Sequence, residues 1–248
     1  MRGIIFKDDK RYDYTEDYLK ERGYVFCDKD VSPESLDFII FPFMGAVDFA
    51  AFDDDYFARL NPDTVIFSGV QNEYLEEICN RHNLRYYVMT NAKGVQIKNA
   101  APTSEGVIAY LISNRVDAIS DSHILVIGYG NCGSDLGKKL CGLGANVFAL
   151  VRNKEKEERA CADGAVPIYL DEMLDAKGFD IIINTVPGRV LTDEMIDESE
   201  ALIIDIASKP YGFDAQKATI LSGIPGKYAI RTAGFILGEY VDIILRGN

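Results

Sequence analysis

The sequence predicts an α/β protein of two domains, each with a parallel sheet covered by helices. Short apolar runs rich in Ile and Val recur along the chain and alternate with helical patterns. One of these runs leads directly into a glycine motif. The chain has 248 residues, of which 48% are hydrophobic, so it is long enough to build two cores.

The glycine motif follows a predicted buried strand at 124–127 and consists of Gly128, Gly130 and Gly133 at G-x-G-x-x-G spacing. Gly128 permits a tight turn, Gly130 leaves space for a pyrophosphate, and Gly133 lets the next helix pack close to the strand. The first N–H groups of that helix suit phosphate oxygens. The alternative is an ordinary turn between a strand and a helix. A second strand at 145–151 favours an NAD(P)-binding Rossmann fold, whose cofactor site includes Asn131 and Cys132.

The amino-terminal domain is predicted at 1–98 as a smaller flavodoxin-like or Rossmann-like unit, because it repeats the β-α-β plan without phosphate-type glycines. Its strands are read from apolar runs and its helices from the segments between them. An acidic run at 53–55 suits the first turn of a helix. The predicted strands are 3–6, 24–27, 38–42, 64–68 and 85–88, and the helices are 13–22, 53–60 and 73–81.

The Rossmann domain is predicted at 99–232. Pro102 and Thr103 are expected to start a helix that runs to residue 115. The further strands are 124–127, 145–151, 166–169, 180–184 and 201–205, and the further helices are 133–143, 154–162, 171–176, 193–196 and 232–245. Apolar residues at helical spacing in the last helix predict that 233–248 packs back on the first domain.

Composition narrows the function classes. The net charge of −13 and the pI near 4.6 argue against nucleic-acid or anionic-membrane binding, both of which favour a basic surface. The five cysteines are scattered and include no C-x-x-C pair, so the sequence predicts neither a disulfide framework nor a metal site. No apolar stretch is long enough to span a membrane. We therefore expect a cytoplasmic protein.

The residue after the second Rossmann strand bears on the choice of cofactor. Folds that prefer NAD usually place an acidic residue there for the ribose hydroxyls, whereas this chain has Arg152 followed by Asn153. A guanidinium suits the 2′-phosphate of NADP. The alternative is a solvated arginine at the start of a charged helix.

Ligands of parallel sheets collect at the carboxyl ends of strands. Short polar residues there suit a nicotinamide ribose and a small substrate, and the chain places Thr185, Val186 and Pro187 after one strand and Ala207 and Ser208 after the next. The cations available for substrate carboxylates are Arg189, Lys209, Lys227 and Arg231.

Neither histidine is placed for catalysis. His123 precedes the motif strand, at the end of the sheet away from the cofactor, and His82 closes a helix of the first domain. A 2-hydroxy-acid dehydrogenase needs a general acid and base to move the alcohol proton. The missing histidine therefore counts against that class.

Several stretches resemble, in chain order, the motifs of the dipicolinate synthase A-subunit family. They are Pro102-Thr-Ser-Glu-Gly106, Val126-Ile-Gly-Tyr-Gly130, Asn184-Thr-Val-Pro187, Leu202-Ile-Ile-Asp-Ile-Ala-Ser-Lys-Pro210, Gly223-Ile-Pro-Gly-Lys227 and Thr232-Ala-Gly234. The resemblance is strong from about residue 99 onward and only general before it. The first domain is shorter than usual, and Tyr211 stands where a small residue is expected.

The resemblance implies an NADP-dependent oxidoreductase that converts dihydrodipicolinate to dipicolinate in spore-forming bacteria. It implies the flavoprotein-like second subunit of dipicolinate synthase as partner, and we also expect a homo-oligomer. Lys209 and Lys227 are predicted to hold the dicarboxylate, with Glu105 accepting the ring proton. Further substrate contacts are predicted for Thr103, Ser208, Arg231 and Thr232. The alternatives are a nucleotide-binding regulatory protein without catalysis and a 2-hydroxy-acid dehydrogenase relative.

Overall fold

The computed structural model is a mixed α/β protein with two parallel sheets, as the sequence predicts. It describes residues 1–28, 30–43, 52–115, 117–172, 176–197 and 199–247. The chain divides into a first unit, Met1–Lys98 with Ala229–Asn248, and a second unit, Asn99–Tyr228.

The first unit has a five-stranded sheet in the order β2-β1-β3-β4-β5, and every pairing is parallel. Alternate side chains of its strands enter two separate cores. Phe38 and Ile40 face one core and Ile39 faces the other. The elements are β1 (Arg2–Ile5), α1 (Arg11–Lys20), β2 (Val25–Phe26), β3 (Phe38–Ile40), α2 (Asp54–Ala58), β4 (Val65–Ser68), α3 (Glu73–Arg81), β5 (Arg85–Val88), the start of α4 (Lys93–Asn114) and, at the other end of the chain, α9 (Ile230–Arg246).

Helix α9 completes a core of the first unit. Leu237 and Val241 of α9 pack in the same buried cluster as Tyr12 and Leu19 of α1. The backbones approach closely at Gly234, because a Cβ atom there would be in steric clash with the backbone oxygen of Arg11. The first unit is therefore built from both ends of the chain.

The second unit has a six-stranded parallel sheet in the order β11-β10-β9-β6-β7-β8, which is the strand order of dinucleotide-binding folds. The order reverses between β6 and β9, where such sheets bind their ligands. The elements after α4 are β6 (His123–Ile127), α5 (Asn131–Gly142), β7 (Asn146–Val151), α6 (Lys154–Ala162), β8 (Val166–Tyr169), β9 (Ile181–Asn184), α7 (Asp193–Ile196), β10 (Leu202–Asp205), β11 (Thr219–Ile220) and α8 (Ile224–Tyr228).

Three details of the predicted elements are wrong. Helix α4 begins at Lys93 and contains Pro102 in its interior, because Val95 and Ala100 are buried ahead of the proline and hold the first turns in place. Residues 170–172 form a 3-10 turn where the sequence predicts the start of a helix at 171–176, and 173–175 lie outside the described residues. The sequence patterns also fail to predict β11 and α8.

Among the described residues, no helix is long and apolar enough to cross a membrane.

Candidate functional site

The glycine turn lies at the reversal point of the second sheet, after β6. Gly128 has a φ of +85°, a conformation that L side chains rarely adopt. A Cβ atom there would also clash with Cγ1 of Val186, in the segment that follows β9. The Thr185 side chain joins the same two segments, because its hydroxyl donates to the backbone oxygens of Ile127 at 2.9 Å and Gly128 at 3.2 Å.

The start of α5 has the features of a pyrophosphate cradle. Gly130 is the N-cap, and in the described structure no side chain caps the helix there. A Cβ atom on Gly130 would meet nothing within 4 Å, so the turn is open to a ligand. The backbone N–H groups of the first turn are therefore available to phosphate oxygens, and these residues fit the diphosphate of a dinucleotide.

Two side chains in the glycine turn have different surroundings. Tyr129 is buried, and its hydroxyl donates to Asp163 at 3.3 Å, so it supports the turn from the core. Cys132 is partly buried beside Thr103 of α4. Burial raises the pKa of the Cys132 thiol, and a hydrogen bond with Thr103 opposes that rise.

Arg152 follows β7 at the carboxyl edge of the sheet and is exposed. Within the described part of the chain its guanidinium forms no hydrogen bond or ion pair. The Asn153 side chain caps α6 by accepting from the backbone N–H of Lys156 at 3.0 Å, which leaves its NH₂ group free to donate. An exposed, unpaired guanidinium thus precedes the residue that caps α6.

The segments after β9 and β10 are fixed by the last residue of each strand. Asn184 of β9 donates to the backbone oxygen of Val186 at 2.9 Å and accepts from its N–H at 3.2 Å. Asp205 of β10 is fully buried and accepts three backbone N–H bonds. Both residues stand in motifs quoted for the family resemblance, but sequence reasoning gave neither of them a role. The signal that marks both is a polar residue at the end of an apolar strand.

The four candidate cations differ in their surroundings. Arg189 forms ion pairs with Asp193 at 2.8 Å and with Asp214 at 3.0 Å, so its charge is already compensated. Lys209 and Lys227 are exposed, and they have no hydrogen-bond or ion-pair partner among the residues that the structure describes. Lys209 follows β10 and Lys227 lies in α8, which begins soon after β11.

Arg231, the fourth cation, and Thr232 lie at the start of α9 in the first unit and are exposed. The Arg231 guanidinium stands 5.1 Å from the centre of the Phe235 ring. Arg231 and Phe235 line a cavity of about 290 Å³ in the first unit, together with Tyr14, Asp17, Lys20 and Glu21.

Three further candidates lie in the second unit. The Glu105 carboxylate is exposed and stands 3.5 Å from the Lys139 ammonium, which also pairs with Asp135 at 2.7 Å. The Thr103 hydroxyl donates to the backbone oxygen of Asn99 at 2.6 Å. Ser208 is exposed after β10.

Each unit holds one of the two histidines. His123 is the first residue of β6, at the opposite edge, where its ring stacks on Phe148. His82 follows α3 of the first unit and stands 3.1 Å from Asp54. The histidine of the second unit is therefore not placed to act as a base at the glycine turn.

Comparison with known proteins identifies the family. A family model described as the NAD binding domain of D-isomer specific 2-hydroxyacid dehydrogenases matches residues 100–202. The A component of dipicolinate synthase from Bacillus subtilis (strain 168) is 31% identical over 245 residues, covering 90% of this chain and 82% of that protein. The chain belongs to the dipicolinate synthase A-subunit family.

Solved structures agree with this assignment. The crystal structure of the corresponding dipicolinate synthase chain from Bacillus subtilis superimposes with a TM-score of 0.89 at 27% identity, covering 100% of this chain and 96% of that one. Its counterpart from Bacillus halodurans also gives 0.89, at 24% identity, covering 98% and 97% of the two chains. A D-lactate dehydrogenase from Escherichia coli shares the fold at 0.63 and 11% identity, covering 100% and 98%.

The family and the matched domain indicate an oxidoreductase with a nicotinamide cofactor. The residues of the glycine turn fit that group, because an open N-cap and uncapped N–H groups lie at the point where the strand order reverses. The resemblance found in the sequence is thus confirmed at the level of the family.

Proposed function

We propose that this chain oxidises dihydrodipicolinate to dipicolinate, pyridine-2,6-dicarboxylate, with NADP as the hydride acceptor. The observation that carries the proposal is a set of three unpaired cations that follow strands of the second sheet: Arg152, Lys209 and Lys227. They occur in a protein whose net charge is −13. An anionic cofactor and a dianionic substrate both need such local positive charge. The name of the Bacillus subtilis relative supports the choice of substrate.

The reaction removes two electrons and two hydrogens from the ring. One ring carbon releases a hydride, the neighbouring carbon releases a proton, and the ring becomes aromatic. A nicotinamide held at the glycine turn would supply the hydride acceptor. Aromatic stabilisation makes the proton acidic as the hydride leaves, so the reaction depends less on a tuned base than alcohol oxidation does. This chemistry suits the second unit, whose His123 lies at the opposite edge of the sheet from the glycine turn.

The protein's task is then to orient the substrate. We assign the two substrate carboxylates to Lys209 and Lys227, with Ser208 as a hydroxyl donor. Substrate contacts by Arg231 and Thr232 stay a prediction from the sequence. Thr103 contributes only if its hydroxyl releases the helix carbonyl of Asn99, to which it now donates.

Glu105 is the proposed proton acceptor. Its carboxylate is exposed and lies 3.5 Å from the Lys139 ammonium. An ionised carboxylate can take the ring proton and pass it to solvent. A strong base is not required of it, since the ring becomes aromatic in the same reaction.

The proposed preference for NADP rests on Arg152. Its free guanidinium follows the second strand of the fold, where the 2′-position of the adenine ribose is bound in this class of site. Asn153 and Lys154 stand next to it in the chain. A charged guanidinium there favours the additional phosphate and offers no acceptor to the ribose hydroxyls of NAD.

We further propose that the chain works with the second subunit of dipicolinate synthase, because its relative is named as one subunit of that enzyme. This partner is expected to be flavoprotein-like, and the chain itself to form a homo-oligomer. The cytoplasm is the proposed location, since the cysteines that the structure describes are all free thiols.

The test is reduction of NADP by freshly prepared dihydrodipicolinate, with the purified chain alone and with its flavoprotein-like partner. We expect formation of NADPH and dipicolinate in equal amounts. A chain that binds NADP but fails to reduce it in both assays is a nucleotide-binding protein, and the proposed reaction is then wrong. A 2-hydroxy acid serves as control substrate, because the family model that matches residues 100–202 is that of 2-hydroxyacid dehydrogenases. Faster turnover of the hydroxy acid than of dihydrodipicolinate would support a 2-hydroxy-acid dehydrogenase instead.

A further inference from the structure

We propose that Asp205 is a positioning residue for a substrate loop at 206–213, which carries Ser208 and Lys209. The inference rests on the proposed function, since it assigns Asp205 a role in placing the Lys209 ammonium against a substrate carboxylate. Asp205 ends β10 and its exposed fraction is 0%. It therefore acts on substrate only through the loop.

The carboxylate of Asp205 binds both ends of the substrate loop. Its Oδ1 atom accepts from the backbone N–H of Ala207 at 2.9 Å. Its Oδ2 atom accepts from Gly212 at 2.7 Å and from Phe213 at 3.2 Å. Charged hydrogen bonds of this kind are stronger than neutral ones, so one side chain holds the loop closed.

A second set of contacts holds the substrate loop against the segment that follows β9. Gly188 donates its backbone N–H to the oxygen of Pro210 at 2.7 Å. Gly212 packs so closely that a Cβ atom would lie 2.6 Å from Nδ2 of Asn184 and 3.0 Å from the backbone oxygen of Gly188. Asn184 and Asp205 are also register partners in neighbouring strands.

These contacts leave only the tip of the loop free. Ala207, Gly212 and Phe213 are buried, whereas Ser208 and Lys209 are exposed. The loop thus has an anchored base and a charged tip. Such a support fixes the position of a reacting or binding group, and displacement of that group by about 1 Å can cost on the order of a hundredfold in rate.

The decisive variant is Asp205→Asn, which keeps the shape but replaces one acceptor oxygen by an NH₂ group facing a backbone N–H. We expect the kcat/KM for dihydrodipicolinate to fall by about tenfold to a hundredfold. In a Lys209→Met background the same substitution should cause a much smaller loss, because the group that it positions is already gone. Equal fold losses in the two backgrounds would overturn the inference.

Gly212→Ala should also displace the substrate loop, because the added Cβ atom would lie 2.6 Å from Nδ2 of Asn184. It leaves the Asp205 carboxylate intact. It should reproduce the loss and its dependence on Lys209, which keeps the test decisive if Asp205→Asn fails to fold. Asp180→Asn is the matched control, since Asp180 accepts the backbone N–H of His123 at 2.7 Å at the opposite edge of the sheet. The control should retain wild-type kinetics.

Two measurements separate failure of this inference from failure of the proposed function. Calorimetry measures dipicolinate binding to the wild-type chain with NADP present, and a wild type that neither binds dipicolinate nor oxidises the substrate overturns both proposals. Hydrogen exchange reports whether the amides of Gly212 and Phe213 are released in Asp205→Asn. Release of these amides with unchanged kcat/KM in an active protein would overturn the positioning role alone.

Discussion

A Cβ atom on Gly133 would overlap the backbone oxygen of Gly128. No methyl group fits in that space, so the third glycine of the motif sets how closely α5 approaches the turn after β6. The approach in turn places the first N–H groups of α5 beside the open turn at Gly130.

Gly133→Ala should therefore push α5 away from the turn. We expect at least a tenfold loss of affinity for the nicotinamide cofactor and a loss of about 1–3 kcal/mol in the free energy of unfolding. Cofactor titration and thermal unfolding measure the two effects. Gly142→Ala is the control in the same helix, because a Cβ atom there meets nothing within 4 Å. Wild-type affinity in Gly133→Ala would contradict the assigned cradle.

Arg152→Asp should remove the proposed preference for NADP. A charged hydrogen bond to the 2′-phosphate contributes about 1.5–3 kcal/mol, which corresponds to roughly tenfold to a hundredfold in affinity. Titration of both cofactors into both proteins measures the preference. Lys138→Asp makes the same charge change on the exposed face of α5 and should leave the preference intact. Equal affinities of the wild type for NAD and NADP would refute the role of Arg152.

Lys227→Met should raise the KM for dihydrodipicolinate by about tenfold or more, because one charged contact to a carboxylate is lost. The affinity for NADP should change much less. Lys217→Met is the matched control, since Lys217 pairs with Asp193 and Asp197 at the surface. A larger effect on NADP than on the substrate would place Lys227 in the cofactor site instead.

The Cys132 thiol offers a chemical probe of the glycine turn. Burial raises its pKa, so little thiolate is present near neutral pH and alkylation should be slow, accelerating as the pH rises toward that pKa. The exposed thiol of Cys161 should react faster. We expect NADP to slow alkylation further at Cys132 alone, as measured by mass spectrometry of the two peptides. Equal protection of both thiols would argue against cofactor binding at this turn.

The fold class followed from local chemistry that the sequence displays directly. The run at 124–127 and the glycine spacing after it predict a strand, a turn and a helix, and the structure has β6, the positive φ of Gly128 and α5 in that order. The family was recognisable because several motifs occur in the right order.

Two short elements, β11 and α8, were not predictable from the sequence pattern. Strand β11 has two residues, which are too few to show an alternation of apolar and polar residues. Helix α8 contains Pro225 and Gly226, which favour a turn.

The start of α4 is misplaced by the sequence pattern because Pro102 is a common first residue of a helix. Here the helix has already begun at Lys93, and the proline only removes one internal N–H. The pairing of Arg189 with Asp193 and Asp214 could not be predicted either, since Asp214 is distant in sequence. Tertiary contacts decide which cations stay unpaired, and the sequence alone does not distinguish a paired cation from an unpaired one.

The packing of α9 on α1 has a consequence for synthesis on the ribosome. Thr15 donates its side-chain hydroxyl to the backbone oxygen of Gly234 at 2.9 Å, and the buried cluster around Tyr12 includes Leu237 and Val241. The buried cluster that contains Tyr12 and Leu19 is therefore incomplete until α9 has been synthesised. The second unit is contiguous and ends before α9 begins, so all of its residues are synthesised before the first unit has its full set of core residues.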